Sequence, residues 1–150
     1  MNPAATAIAI SVLMFISGLG IPIMAAMNAG LGARLEKPNL ASFLLFVVAA
    51  SATGATLLIA GPRGPVNFNV PPYLFLGGLC VAFYVLCATW AAPQIGLGNA
   101  ILLVLLGQMA FAAVIDHFGL FGALQTSLTL KRSAGIALMI AGFYLARRAA

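Results

Sequence analysis

Uncharged apolar stretches alternate along this chain with short segments that hold all of its charged residues and most of its prolines. Five stretches carry no charge, at residues 4–33, 40–60, 73–92, 97–115 and 133–146. A helix of about 20 apolar residues crosses the hydrocarbon core of a bilayer, which is about 30 Å thick. The pattern therefore predicts an all-α integral membrane protein with five transmembrane helices, folded as one domain over residues 1–150.

The first and fifth stretches depart from the usual length. The first has thirty residues, and as a straight helix it would be about 45 Å long. Because Pro22 and two glycines lie near its middle, we expect one bent or tilted crossing, or in a sharper form a broken helix that lines a cavity. The fifth has only fourteen uncharged residues, but basic pairs on both sides extend its reach to about 27 Å by snorkelling. Residues 117–130 are too short and too interrupted by glycine to cross.

The composition requires lipid as the solvent of most of this chain. It is 63% hydrophobic and only 6% charged, whereas soluble domains carry about 25% charged residues. The net charge of +5 arises from basic residues that lie singly or in pairs at the ends of the apolar stretches. Residues in these positions anchor helices in the lipid headgroups. The expected partner is thus the bilayer, and nucleic acid is not expected.

The basic residues are divided almost evenly between the two sides of the predicted bundle. The side of the N-terminus receives three, and the opposite side four, namely Arg63, Lys131 and Arg132 against Arg34, Lys37, Arg147 and Arg148. Orientation normally follows an excess of Lys and Arg on the cytoplasmic side. Without that excess, copies can insert both ways and pair as an inverted repeat. We expect an antiparallel homodimer; the alternative is a single orientation fixed by other factors.

The chain lacks the residue patterns of an enzyme. It has no Ser/His/Asp set, no Cys/His cluster with metal-ligand spacing, and no glycine loop leading to Lys-Ser or Lys-Thr. Cys80 and Cys87 are about 10 Å apart along a helix, too far for a disulfide. The chain is therefore predicted to be a non-enzyme that binds no cofactor and no metal.

Two amides, Asn28 and Gln108, lie well inside the apolar stretches, and a third, Asn99, lies near the start of the fourth. An unpaired amide in hydrocarbon is unfavourable by several kcal/mol, so both side chains should face protein or a cavity. One interpretation is that they join helices, with each bond contributing about 0.6 kcal/mol. The other is that they bind a small-molecule substrate in a passage, with Tyr84 and Trp90 as aromatic walls. The sequence leaves both open.

Small residues spaced by four also occur in these stretches, for example Ala25 with Ala29 and Ala26 with Gly30. Such pairs allow helices to approach closely in lipid. In a chain this rich in alanine the spacing also arises by chance.

Asp116 and His117 follow the fourth stretch directly. Asp116 is either a salt-bridge partner that anchors the helix end, or a proton- or cation-coupling group at an entrance. In the second case His117 would assist, because its charge changes near neutral pH. No stretch has a carboxylate near its centre, which argues against permanent organic cations as the principal cargo.

Several short motifs occur in an order that resembles a known family. They are residues 22–31 (PIMAAMNAGL), 42–43 (SF), 77–78 (GG) with Tyr84, 93–96 (PQIG), 107–108 (GQ) and 115–122 (IDHFGLFG). Together they resemble the YdcZ-like family of the drug/metabolite transporter superfamily. The resemblance implies five helices per unit and antiparallel dimers for members encoded by a single gene. One position departs from the expected pattern: Met24 stands where a glutamine is expected, which implies a less polar cargo if that position contacts it.

These observations favour a secondary transporter or exporter in the bacterial inner membrane. Its cargo would be a small neutral or amphipathic metabolite, or an anionic one given the basic helix ends, moved by alternating access through a cavity between two oppositely inserted copies. Asn28, Tyr84, Trp90 and Gln108 are the candidates for lining that cavity, and Asp116 and His117 for its entrance. A passive channel and a non-transporting subunit or scaffold are the alternatives.

Overall fold

The computed structural model describes residues 2–61, 64–66 and 68–147, and all regular structure in this part of the chain is helical. Five α-helices follow one another: α1 (Pro3–Leu35), α2 (Pro38–Ala60), α3 (Gly77–Ile95), α4 (Leu97–Phe118) and α5 (Leu130–Ala146). Short 3₁₀ helices, Pro72–Leu76 and Leu120–Gly122, precede α3 and follow α4. The predicted all-helical class is confirmed.

Four helical segments among the described residues are long and apolar enough to cross a membrane: Ala5–Leu35, Pro38–Ala60, Pro72–Ile95 and Leu97–Phe118. The remaining helix, α5, has 17 residues and is therefore about 26 Å long. That is slightly less than the hydrocarbon core of about 30 Å. Its role as a fifth crossing stays a prediction.

α1 is one α-helix of 33 residues that continues through Pro22, so the broken helix considered from the sequence is not present. A proline removes one backbone hydrogen bond from a helix. The other backbone groups have no water to bond with in lipid, which keeps the rest of the helix intact. At about 50 Å, α1 is much longer than the hydrocarbon core and must tilt or extend beyond it.

Two very short turns close the helix pairs. Glu36 and Lys37 alone separate α1 from α2, with Glu36 in the left-handed region at φ 55° and Pro38 opening α2. Gly96 alone separates α3 from α4, at φ 84°. The sequence placed residues 93–96 between the third and fourth stretches. The observed turn is shorter, because α3 continues through Pro93 to Ile95. Trp90, near the end of α3, lies beside the α1–α2 turn, so both turns are at one end of the bundle, the turn side. The opposite end is the connector side.

Packing between helices is concentrated towards the turn side. α1 packs on α2 and α3, α3 packs on α4, and α5 packs mainly on α4. The buried apolar residues are mostly alanines, and most lie in the turn-side halves of their helices: Ala25, Ala41, Val85, Ala92, Ala100 and Ala113. In contrast, nearly every described side chain of α1 before Pro22 is exposed.

The protomer by itself exposes far more surface than a closed fold. Its accessible surface is 11487 Å², whereas a closed monomer of 15.4 kDa exposes about 7,200 Å². Most of the exposed large side chains are apolar, among them Ile8, Phe15, Leu58 and Phe83. Lipid or further protein must cover these faces.

Candidate functional site

Three buried polar side chains meet where α1, α2 and α3 pack together. Asn28, Ser42 and Thr89 are 3%, 1% and 4% exposed. The Asn28 Nδ2 donates to Thr89 Oγ1 at 2.5 Å, and Ser42 Oγ lies 3.3 Å from the same oxygen. Thr89 Oγ1 donates its own proton to the Val85 carbonyl at 2.7 Å, and the single proton of Ser42 is shared between Thr89 Oγ1 and the Pro38 carbonyl, which is 3.1 Å away. This polar cluster joins three helices by hydrogen bonds.

Gly32 allows the three helices to approach one another beside the polar cluster. A Cβ atom added there would lie 3.2 Å from Pro38 Cα, 3.3 Å from Thr89 Cγ2 and 3.6 Å from Ala41 Cβ. The first of these neighbours is backbone and cannot rotate away. The contact between α1, α2 and α3 therefore leaves little room for a side chain at this position.

Replacing Thr89 with valine is expected to lower the free energy of unfolding by about 1–2 kcal/mol. The change removes the hydroxyl that accepts from Asn28 and leaves a buried amide without its partner. Thermal unfolding of the protein purified in detergent measures the effect. Thr53→Val is the matched control, because Thr53 is exposed and bonds only to carbonyls of its own helix. Equal loss in the two variants would show that the polar cluster adds nothing.

An open groove lies beside this cluster, between α1 and α2. Its volume is about 640 Å³, within the range of small-molecule sites. α1 contributes Met24, Met27, Asn28, Leu31 and Arg34, and α2 contributes a leucine-rich wall that includes Val48. Asn28 thus joins helices and also borders a groove, and the two interpretations of this residue are compatible in space.

The other three candidate lining residues lie outside this groove. Trp90 is 64% exposed and borders a recess of about 540 Å³ beside the α1–α2 turn. Tyr84 buries its hydroxyl without a hydrogen-bond partner among the described residues. Gln108 is exposed on α4. The groove and the recess each contain only one of the four candidate residues. That the four side chains meet in a cavity between two copies stays a prediction.

Asp116 and His117 hold the segment that leads to α5 against the end of α4. Asp116 Oδ2 accepts from Arg132 Nη2 at 2.7 Å, and the Asp116 carbonyl accepts from the Thr126 N–H at 2.7 Å. The His117 Nδ1 accepts from the Leu128 N–H at 3.1 Å. The salt bridge to Arg132 is the contact expected if Asp116 anchors the end of α4. A coupling role for Asp116 and His117 stays a prediction.

The described residues contain no group of three or more His, Cys, Asp or Glu side chains placed to hold a metal ion. Two basic residues of the charge comparison, Arg63 and Arg148, lie outside the described residues. Of the others, Lys131 and Arg132 belong to the connector side, and Arg34 and Lys37 to the turn side. Arg147 also reaches the turn side if α5 crosses the membrane. Neither side of the described part of the chain then has a marked excess of basic residues.

Comparison with known proteins identifies one family. A family model described as "Putative inner membrane exporter, YdcZ" matches residues 9–145, nearly the whole chain. The match covers all of α2, α3 and α4 and most of α1 and α5. No curated protein and no solved structure matches the chain.

Proposed function

Because the chain belongs to the YdcZ family of inner membrane exporters, we propose that it is a secondary transporter that works as an antiparallel homodimer. It is a multi-pass inner membrane protein, as its family and its four membrane-spanning helical segments indicate. The family of exporters supports a transporter and not an enzyme. In this proposal the dimer exports a small neutral or amphipathic metabolite by alternating access.

The open surface of the protomer is the observation that carries this proposal. One copy exposes 11487 Å², against about 7,200 Å² for a closed chain of this mass. A passage for a polar molecule needs protein on all sides, because lipid cannot meet its hydrogen-bonding groups. One protomer offers grooves open on one side. A second copy with the opposite orientation would supply the missing wall.

One polar group supports a further contact on the exposed faces. The Gln108 amide is exposed in the apolar middle of α4. An amide is unfavourable in hydrocarbon, so a second copy or a bound cargo should supply its hydrogen bonds. The Tyr84 hydroxyl is buried within the protomer without a partner among the described residues. In the proposed dimer Asn28 and Trp90 complete the cavity, and Asp116 and His117 lie at its entrance.

Cysteine labelling in intact cells is expected to show both orientations. We propose Asn39→Cys in a background with Cys80 and Cys87 replaced by serine, since Asn39 is exposed beside the α1–α2 turn and its replacement leaves the basic residues unchanged. A membrane-impermeant maleimide should label about half of the molecules, because the basic residues set no preferred orientation. Ser127→Cys, on the connector side, should also be about half labelled. If one variant is fully labelled and the other not at all, the antiparallel dimer is wrong.

Flux measurements in liposomes test transport itself. A carrier should move at least one compound of a metabolite panel with saturable kinetics and countertransport. Conductance that does not saturate in a planar bilayer would support a passive channel. No movement above that of empty vesicles would support a subunit or scaffold without transport activity.

A further inference from the structure

The groove between α1 and α2 has the dimensions of a site for one elongated molecule. Its α1 wall is formed by Met24, Met27, Leu31 and Arg34, which are spaced by three or four and so share one face of the helix. From Met24 to Arg34 the helix rises by about 15 Å. This is half the thickness of the hydrocarbon core, so the groove is as long as one leaflet is deep.

The walls of the groove are apolar apart from the Asn28 amide, and they are charged at one end. Met24 and Met27 face Leu44 and Val48 across it, and Arg34 is its one charged lining residue, at the turn side. Methionine side chains are flexible and polarisable, and they adapt to apolar ligands of different shapes. The arrangement suits an apolar tail that ends in an anionic group.

Among the residues that the structure describes, the guanidinium of Arg34 has no carboxylate partner. The chain has only two acids, Glu36 and Asp116. Neither forms a salt bridge with Arg34, and Asp116 is paired with Arg132. A second copy in the opposite orientation would bring its connector side, with Lys131 and the engaged Asp116–Arg132 pair, to the level of Arg34. No carboxylate of the described residues forms a salt bridge with Arg34, so a bound anion would supply the negative charge at this end of the groove.

We propose that this groove binds an amphipathic organic anion with a single unbranched tail, of the class of medium-chain carboxylates. The carboxylate bonds to Arg34, and the tail lies along Met24, Met27 and Val48 towards the middle of the bilayer. The inference rests on the proposed transport function and narrows its cargo class. The groove is open along its side, so such a molecule enters from the leaflet.

Binding of dodecanoate tests the proposal. Protein in phosphatidylcholine nanodiscs is titrated with dodecanoate, dodecanol and dodecylammonium, which share a tail and differ in the head group. Saturable binding is expected for dodecanoate alone. Arg34→Gln should weaken it about tenfold, since a hydrogen bond between charged groups is lost, while Arg34→Lys retains most of it. Arg147→Gln is the control, because it removes the same charge outside the groove.

A variant that fills the groove gives a second readout. Val48 is 69% exposed, so Val48→Trp should fold normally and abolish dodecanoate binding. Met24→Gln places an amide against the tail and should weaken dodecanoate binding while keeping the preference for the anion. Both results depend on the tail lying in the groove and not only on the charge of Arg34.

Three results would overturn the proposal. The first is equal dodecanoate binding by the Arg34→Gln and Arg147→Gln variants. The second is displacement of dodecanoate from the wild-type protein by phosphatidylglycerol in the nanodisc, together with stabilisation of the protein by this lipid only when Arg34 is present. The occupant of the groove would then be a membrane lipid. The third is a lower dimer fraction in the Val48→Trp variant, which would make the groove a contact between copies.

Transport measurements separate this site from the function on which it rests. Dodecanoate binding without countertransport in liposomes would support the site and overturn the transporter. Countertransport of other compounds of the panel without dodecanoate binding would support the transporter and overturn the anion site.

Discussion

Replacing Gly32 with valine is expected to lower the free energy of unfolding by about 3 kcal/mol, the upper part of the range for overpacking a tight contact. The first added carbon would already lie 3.2 Å from Pro38 Cα and 3.3 Å from Thr89 Cγ2. Relief of these contacts would move α1 away from α2 and α3. The Asn28–Thr89 hydrogen bond, which depends on the same approach, would then lengthen. Thermal unfolding in detergent, followed by helical circular dichroism, measures the loss.

Gly30→Val is the matched control for this prediction. Gly30 is in the same helix, and a Cβ atom there would meet nothing within 4 Å. Both variants carry the same change in helix propensity and in apolar volume, so their difference reports the contact at Gly32. Similar stability of the two variants would mean that α1 does not approach α2 and α3 as closely as described.

Replacing Gln108 with leucine is expected to reduce transport about tenfold without loss of folded protein. The amide is exposed on α4 and has no hydrogen-bond partner among the described residues, and leucine keeps a similar volume without polar atoms. If cargo or the second copy supplies the amide's hydrogen bonds, losing one or two of them reduces transport by this factor. Countertransport of the compound that wild type moves fastest gives the rate, and circular dichroism gives the folded fraction.

The direction of the change in stability distinguishes the two environments of Gln108. An amide that faces lipid is unfavourable by several kcal/mol, so leucine would then stabilise the protein and leave transport unchanged. That outcome would remove Gln108 from the proposed cavity. Thr56→Val is the control, because Thr56 is exposed and bonds to a carbonyl of its own helix, and it should change neither quantity.

The positions of the helices could be predicted well from the sequence, and the physical reason is the bilayer. Charged residues cannot enter hydrocarbon at low energy, so Arg34 and Glu36 mark the end of α1, and Lys131 and Arg132 mark the beginning of α5. The predicted first span, 4–33, agrees with α1, which continues through Pro22. The predicted third span ended too early at Pro93, because α3 continues through it to Ile95. One lost hydrogen bond does not end a helix whose other backbone groups have no alternative partner.

The contacts between helices could not be predicted in the same way. Asn28 was expected to face protein or a cavity, but its partner Thr89 is 61 positions away in the chain, and no local pattern connects them. Of the two small-residue pairs in α1, Ala25 is buried and Ala29 half-buried, whereas Ala26 and Gly30 are both exposed. The glycine at the close approach is Gly32, one helical turn after Asn28. Spacing identifies the faces on which helices can meet, whereas the choice among them depends on the tertiary arrangement.

The unequal ends of the protomer have a mechanical consequence. The turn side is held by two minimal turns, by the polar cluster and by Gly32, while the far ends of α1 and α2 have few neighbours. The turn side is therefore stiff and the free ends of α1 and α2 can move, because motion concentrates where contacts are few. In an antiparallel pair, each face of the membrane would have the turn side of one copy and the free helix ends of the other. Movement of one pair of free ends at a time would open the two faces in turn.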